Sequence, residues 1–489
     1  MKNRITLLAF IMTVILTSCF SQYTVMDAVP SQVNFDEVIR PWDGFGFNYV
    51  ETAQAIDYNV DAQEYGGFSL LSEADQDKVL DMVFGEDGLK PGLVKMFLDP
   101  FHQEEPGGPF NHSWSQNYMI NFVKDGLDIT RNRGADLSII TTLYGPPSWA
   151  TKQKFMRGRD LDPKHKEDLA DYISDWVNYL RTEEELPVDY ASIHNEGEDW
   201  NRWPADGKSG NIGEGHDYNL YWPPEQVAEF LPILRKSLDS YNLEDVGVTP
   251  GETSNWFRFY YWGFAEAIAD NPDAISSLGL ITSHGFYSGN YGRWFGEHNS
   301  VGNDVIREIK PDMHSWVTST SWSKMDAAFI KEMHGNIYTS KVNGIIPWAG
   351  IQRPAKWVGG DPNPGCAFRV SEDGTLEVMR GYYFYKQISR AGQPGMGVAQ
   401  AFSQNSEFVT IAFSSNGTTH PDAFLVINLS DKPMKGAIEI TGTQAKKFEA
   451  FRTDADKDRY TAVGEFKLKS DGVIYYDAPA GSVTTFFAK

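Results

Sequence analysis

Short apolar runs alternate with longer amphipathic segments over most of the chain. Apolar residues recur at helical spacing in Asp168–Leu180, and again from Pro224 to about residue 239, which predicts helices between the runs. Because eight β-prone runs alternate with such segments, the pattern favours a parallel (β/α)8 barrel, a TIM barrel, over residues 41–388. The predicted strands are Asp43–Tyr49, Leu93–Leu98, Asp136–Leu143, Asp189–Asn195, Asp245–Pro250, Gly279–His284, Met313–Ser319 and Val342–Trp348.

The pattern changes after about residue 389. Short β-prone runs are separated there by turn residues, which predicts an antiparallel β-sandwich over 389–489. Residues 23–40 are also β-like and precede the barrel, so we expect them to join this sandwich. The four clearest runs are Phe408–Phe413, Ala423–Asn428, Gly436–Thr441 and Ser482–Phe487.

The first residues predict a targeting segment. Lys2 and Arg4 precede an apolar run, Ile5 to Leu16, that is too short to anchor the chain across a bilayer. The following Leu16-Thr-Ser-Cys19 favours a bacterial lipoprotein signal over residues 1–19, with Cys19 lipidated, over an ordinary secretory peptide. We therefore expect an exported lipoprotein that faces the periplasm or the cell surface and meets the membrane only through its lipid. Cys366 would then have no partner for a disulfide.

Composition narrows the range of partners. The 489 residues carry a formal net charge of −23, with 41% apolar and 22% charged residues, as in a soluble globular protein. This charge argues against nucleic acid or an anionic membrane surface as a partner. The sequence leaves the oligomeric state open.

The ends of the predicted strands collect polar and aromatic residues. Asn195-Glu196 closes the fourth strand, and this pair alone favours a solvated acidic loop in which Glu196 is merely exposed. Because a barrel keeps its active site at the C-terminal strand ends, eight such ends together favour a sugar-binding cleft. The others are Asn48 and Glu51, Asp99, Pro146–Trp149, Glu252, His284 and Tyr287, Ser319 to Trp322, and Trp348.

A series of short motifs follows one order along the chain. The motifs are Asp43-Gly-Phe-Gly-Phe47, Pro146-Pro-Ser-Trp149, Asn195-Glu196, Thr249-Pro-Gly-Glu252, His284-Gly-Phe-Tyr287, Trp316-Val-Thr318, Tyr382–Arg390 and Gln393-Pro-Gly395. Through them the chain resembles glycoside hydrolase family 30 over nearly its whole length after the signal. The resemblance implies a barrel with a side sandwich built from both ends of the chain, and retaining hydrolysis of β-linked glycans without a metal or organic cofactor. It assigns the acid/base role to Glu196.

The family's second carboxylate has no counterpart. Ser319 follows Trp316-Val-Thr318 where the family carries its nucleophilic Glu, and no acid lies between Asp312 and Asp326. A retaining glycosidase needs two carboxyl groups about 5–5.5 Å apart, whereas an inverting one needs about 6.5–9.5 Å. One interpretation is inverting hydrolysis with another carboxylate as the base, first Glu252, then Glu297 or Asp99. The others are a sugar-binding site that has lost catalysis, and a local shift that misplaces Ser319.

The sequence therefore predicts an O-glycosyl hydrolase that acts on a cell-wall or algal β-glycan of xylan, galactan or glucan type. Glu196 would be the general acid/base and Asn195 would bind the sugar's 2-hydroxyl. The alternative is an inactive surface glycan-binding protein on a glycosidase scaffold. Further substrate-binding predictions are Trp149, His284, Tyr287, Ser319 and Trp348. The aromatic insertion Asp199–Trp222 is expected either to line the cleft or to form a structural cluster.

Overall fold

The computed structural model describes residues 28–51, 66–112, 117–156, 158–208, 220–287, 297–353 and 365–489. The predicted signal and Cys19 lie outside these ranges. Among the helices of the described residues, none is long and apolar enough to cross a membrane.

Eight parallel strands form the barrel. In spatial order they run β6-β5-β4-β3-β2-β9-β8-β7, and isolated bridges between β6 and the segment before β7 close the ring. All eight predicted strands are confirmed, although each is shorter than its apolar run because the ends turn into loops. The strands are β2 (Gly44–Asn48), β3 (Leu93–Phe97), β4 (Ser138–Thr142), β5 (Val188–Ser192), β6 (Gly247–Thr249), β7 (Ile281–Ser283), β8 (Ser315–Thr320) and β9 (Gly344–Pro347).

Helices cover the outside of this barrel. Lys166–Thr182, the predicted helix around Asp168–Leu180, buries an apolar face that includes Trp176 and exposes its charged residues. The described α-helices are α1 (Glu73–Phe84), α2 (Asn117–Asn132), α3 (Lys166–Thr182), α4 (Pro224–Ser240), α5 (Trp256–Tyr261), α6 (Phe264–Ala269), α7 (Pro272–Ser277), α8 (Val301–Ile309), α9 (Ala327–His334) and α10 (Arg380–Ala391).

The C-terminal region forms the predicted β-sandwich. Its nine strands run β18-β17-β20-β15-β14-β13-β1-β16-β19, and inward-facing aromatics such as Phe424 and Phe486 stack 4.5 Å apart in its core. The strands are β1 (Val29–Pro41), β13 (Gly397–Ser403), β14 (Phe408–Ser414), β15 (Ala423–Asn428), β16 (Met434–Thr441), β17 (Lys447–Thr453), β18 (Thr461–Lys467), β19 (Val473–Ala478) and β20 (Ser482–Ala488). Three short strands, β10 (Ile351–Gln352), β11 (Phe368–Val370) and β12 (Leu376–Val378), form a separate small sheet.

Both ends of the chain contribute to the sandwich. Strand β1 pairs antiparallel with β13 and parallel with β16, so the segment that precedes the barrel completes the sheet. The sandwich packs on the barrel through apolar and polar contacts. Trp42 meets Phe413 at 5.2 Å, and Gln387 of α10 bonds to Thr453 and Thr485. These contacts hold the sandwich against one side of the barrel. The C-terminal ends of the barrel strands continue into loops.

Candidate active site

Glu196 sits four residues beyond β5 in a backbone conformation that side chains rarely adopt. Its φ is +54°, in the left-handed region, which costs on the order of 1 kcal/mol for a residue with a Cβ. Two hydrogen bonds hold it there. The Glu196 N–H donates to the Glu252 carbonyl at 2.7 Å, and Arg202 Nη1 donates to the Glu196 carbonyl at 2.5 Å. The strain therefore fixes the direction of the Glu196 carboxylate, which turns into the barrel mouth.

The Glu196 carboxylate is buried between two cationic groups. His284 Nδ1 lies 2.5 Å from Oε1 and Arg202 Nη1 lies 3.0 Å from Oε2, while only 3% of the residue is exposed. Burial disfavours the charged imidazole, but Glu196 and Glu252 outweigh burial and raise the pKa of His284. The Glu196 carboxylate therefore contacts an imidazole whose charged form it favours.

Glu252 lies on the other side of the same imidazole. His284 Nε2 is 3.1 Å from its Oε2, Thr142 donates to its Oε1 at 2.6 Å, and Lys95 forms an ion pair with it. Burial alone would raise the pKa of Glu252, but Lys95 and His284 outweigh it and hold the pKa at about 2. These partners thus favour the charged form of Glu252, which lies one imidazole ring away from Glu196.

Lys95 contacts both Glu252 and Ser319, the serine in strand β8. Its ammonium, with the side chain fully buried, lies 3.1 Å from Ser319 Oγ and 3.1 Å from Asn195 Oδ1. The Ser319 hydroxyl donates to the Thr318 carbonyl at 2.5 Å. A lysine that is paired with a carboxylate keeps its proton, so it cannot activate Ser319 as a base would. The Ser319–Lys95 contact is an electrostatic anchor and not a serine nucleophile.

A second buried ion network supports Glu196 from behind. Arg258 lies 2.7 Å from Glu198 Oε1, and Ser254 donates to the same oxygen at 2.6 Å. Arg202 reaches Ser254 at 2.8 Å and so ties this network to Glu196. Burial opposes the charge of Glu198, but Arg202 and Arg258 outweigh it and lower its pKa to about 2. Glu198 and Ser254 therefore hold both guanidinium groups in place behind Glu196.

The predicted aromatic residues are held by contacts with other side chains and with the backbone. Trp149 donates its indole N–H to the Gln103 carbonyl at 3.1 Å and is 7% exposed. Trp348, equally buried, meets Phe97 edge-on at 6.2 Å, and the Lys95 ammonium lies over the Phe97 ring. Tyr287 is 38% exposed and stacks on His298 at 4.5 Å. The predicted residues that the structure links through shared hydrogen bonds to Lys95 and His284 are Asn195, Glu196, Glu252, His284 and Ser319.

Asp99 and Glu297, the two further candidates for the base, differ in their exposure to solvent. Asp99 is fully buried and accepts a hydrogen bond from the Phe101 N–H at 2.8 Å, which caps its own loop. Glu297 is solvent-exposed and lies next to residues outside the described ranges. Glu252 is the carboxylate that shares partners with both Glu196 and Ser319.

Sequence reasoning missed the cations of the site. Lys95 lies in a strand whose five residues are all buried, and an isolated lysine in such an apolar run was the available signal. Arg202 follows Glu198 by four residues, a spacing that predicts an ion pair only on a helix. Arg258 carried no local signal, because its partner Glu198 is distant in the sequence.

The fold is a (β/α)8 barrel with a side β-sandwich. Among the described residues, no cluster of His, Cys, Asp and Glu is arranged to hold a metal ion. No protein-family model matches the sequence. No curated protein matches it either.

Solved structures match nearly the whole chain and narrow this class to the fold of glycoside hydrolase family 30. A family 30 endoxylanase from Clostridium papyrosolvens is 14% identical with a TM-score of 0.65, covering 94% of this chain and 100% of that one. Xylanase C from Talaromyces cellulolyticus gives 16% and 0.67 over 94% and 100% of the two chains. An endo-β-1,6-glucanase gives 17% and 0.64 over 94% of each. The resemblance first noted from sequence motifs is confirmed at the level of the fold.

Proposed function

We propose that this protein hydrolyses β-O-glycosidic bonds of a polysaccharide by direct attack of water. The observation that carries the proposal is the contact of Glu196 with His284, at the end of the fourth barrel strand, where the sequence resemblance assigns the acid/base. Glu196 is buried, held by hydrogen bonds at its backbone, and in contact with an imidazole whose pKa is raised. These are the properties that a general acid needs.

In this proposal the catalytic proton is transferred in two steps. It passes from His284 Nδ1 to Glu196 Oε1, and Glu196 delivers a proton to the glycosidic oxygen as the bond from that oxygen to the anomeric carbon breaks. Arg202 neutralises the anion that Glu196 becomes, which keeps the donor fixed between turnovers. General acid catalysis of this kind contributes about 10²–10⁴-fold to the rate.

The anomeric carbon is attacked from the side of Ser319. A covalent glycosyl-enzyme requires a carboxylate there, and Ser319 with the Lys95 ammonium beside it supplies none. A water molecule attacks instead, oriented by Ser319 and Asn48, whose side chains already lie 3.5 Å apart. Glu252 remains the proposed base, and its low pKa makes it a weak one. The product anomer is therefore inverted.

The substrate class follows from the proteins of matching fold. Two are named xylanases and one an endo-β-1,6-glucanase, so a β-linked xylan, glucan or galactan of a cell wall or alga is proposed as substrate. Neither a metal nor an organic cofactor takes part. The chain is further proposed to be exported and anchored through a lipid on Cys19.

A glycan-binding protein without turnover is the second candidate. The observation that favours it is the tight pairing of Glu252 with Lys95, which withdraws the remaining central carboxylate from chemistry. This candidate keeps the same cleft and aromatic walls. It differs in predicting that Glu196 contributes to affinity alone.

One assay separates the two candidates. Purified wild type and Glu196→Gln are incubated with β-1,4-xylan, β-1,6-glucan and β-1,6-galactan, and reducing ends and bound polysaccharide are both measured. Hydrolysis predicts reducing ends from the wild type and a loss of about 10²–10⁴-fold in the variant, with binding kept. Equal background release from both proteins, with binding intact, would establish the glycan-binding candidate.

A further inference from the structure

Two exposed tryptophans lie next to the buried network that supports Glu196. Trp200 is 45% exposed and Trp262 is 39% exposed, while Trp203 and Trp222 in the same region are buried. Large apolar side chains at such exposure are usually isolated. Here each indole contacts the guanidinium group of an arginine close to the ion network that supports Glu196.

Trp200 begins the short turn that also contains Arg202. The guanidinium of Arg159 lies 4.3 Å from the centre of its ring, so that one face is covered by a cation and the remainder faces solvent. Asp199 caps this turn by accepting from the Asn201 N–H at 3.0 Å. Trp200 is thus fixed two residues from the arginine that contacts Glu196.

Trp262 directly follows helix α5 and is linked to the same turn. Arg258 lies 4.3 Å from the centre of its ring, and the same guanidinium reaches Asp199 at 3.6 Å and Glu198 at 2.7 Å. The residue before Trp200 and the ring of Trp262 therefore contact one side chain. Both indoles are thus connected to the ion network that supports Glu196.

We propose that Trp200 and Trp262 form an outer binding site for a long β-linked glycan chain. Each ring presents a rigid apolar face, and charged groups lie between the two rings. This alternation suits a sugar chain, whose C–H faces stack on rings while its hydroxyls meet charged groups, better than it suits an apolar protein surface. The inference rests on the proposed function for the class of ligand.

The outer site makes affinity depend on chain length. A glycan too short to extend beyond Glu196 contacts neither indole, whereas a longer one gains both. If one aromatic contact stabilises the complex by about 1 kcal/mol, its loss lowers the association constant roughly five- to tenfold. Loss of either ring should therefore weaken a long ligand and leave a short one unaffected.

Titration calorimetry on Glu196→Gln protein tests this directly, because that background prevents turnover. The probes are oligosaccharides of two and six units from the β-1,4-xylo and β-1,6-gluco series. Trp200→Ala and Trp262→Ala are each expected to weaken the bound hexamer about five- to tenfold and leave the dimer unchanged. Trp200→Phe is expected to keep most of the hexamer affinity, which separates stacking from damage to the fold.

Tyr475→Ala is the matched control. Tyr475 is 42% exposed on the sandwich with Lys469 4.1 Å from its ring centre, so it reproduces the exposed ring with a cation behind it, away from the barrel mouth. It should change nothing. Unchanged hexamer affinity in both Trp variants, equal loss for dimer and hexamer, or no binding of either hexamer would overturn the proposal. A protein that binds hexamers through these rings but never hydrolyses them would overturn the proposed function and leave this inference standing.

Discussion

Replacing Lys95 by Met should strongly destabilise the barrel, because it leaves the Glu252 carboxylate buried without its cation. Lys95 and Glu252 are both fully buried, and their ion pair joins β3 to the loop after β6. The pKa of Glu252 is held at about 2 instead of the ordinary value of about 4.5, which corresponds to a stabilisation of about 3 kcal/mol at neutral pH. Removing one partner of a buried pair costs about 3–5 kcal/mol, so the two magnitudes agree.

The sign of the pH dependence follows from the same group. In the wild type, Glu252 has a depressed pKa, so its contribution is complete above about pH 4.5 and is lost as the pH falls towards 2. In Lys95→Met, burial raises the pKa of Glu252, so its cost is present at neutral pH and disappears in acid. The difference in unfolding free energy between the two proteins should therefore be large at pH 7 and small near pH 3.

Urea unfolding followed by tryptophan fluorescence at pH 7 and pH 3 measures this difference. The double variant Lys95→Met/Glu252→Gln removes both charges and should recover most of the loss. Arg181→Met is the matched control, because Arg181 pairs with Asp245 at 2.7 Å on an exposed surface and should cost less than about 1 kcal/mol. A cost for Lys95→Met below that of Arg181→Met, or one that is the same at both pH values, would refute the electrostatic reasoning.

Three further outcomes are expected. Arg202→Met should lower kcat about 10²-fold with little change in KM, because Glu196 loses the group that fixes it; a change confined to KM would contradict this. Ser319→Ala should keep activity within about tenfold, since only hydrogen bonds are lost, whereas complete loss would indicate a serine nucleophile. Cys19→Ala should abolish incorporation of labelled palmitate in cells and release the protein from membranes, and unchanged labelling would exclude Cys19 as the acceptor.

The eight barrel strands could be predicted because each lies in a short, mostly apolar run of residues. A parallel strand that is buried on both faces gives this pattern in the sequence. Their ends could not be placed to the residue. The run Asp189–Asn195, for example, stops pairing as a strand at Ser192, and Glu196 turns to a φ of +54°. That turn depends on bonds from Glu252 and Arg202, which local sequence does not contain.

The meeting of the strand-end residues could be predicted, and the buried cation among them could not. Glu196, Asn195, His284 and Ser319 stand at strand ends, where barrel topology alone brings side chains together. Lys95 lies within a strand, and its role follows only from its contacts with Glu252 and Ser319. The absence of a carboxylate at Ser319 is evident from the sequence, whereas the Lys95 ammonium beside it is evident only from the structure.

The anomeric configuration of the first product tests the account most directly. Proton NMR of the wild type acting on the polysaccharide it hydrolyses, recorded before mutarotation, shows whether the new end is α or β. Because Ser319 and Lys95 offer no carboxylate for a covalent intermediate, a β-linked substrate should yield the α-anomer first. The β-anomer first, or no product from any β-glycan tested, would contradict it.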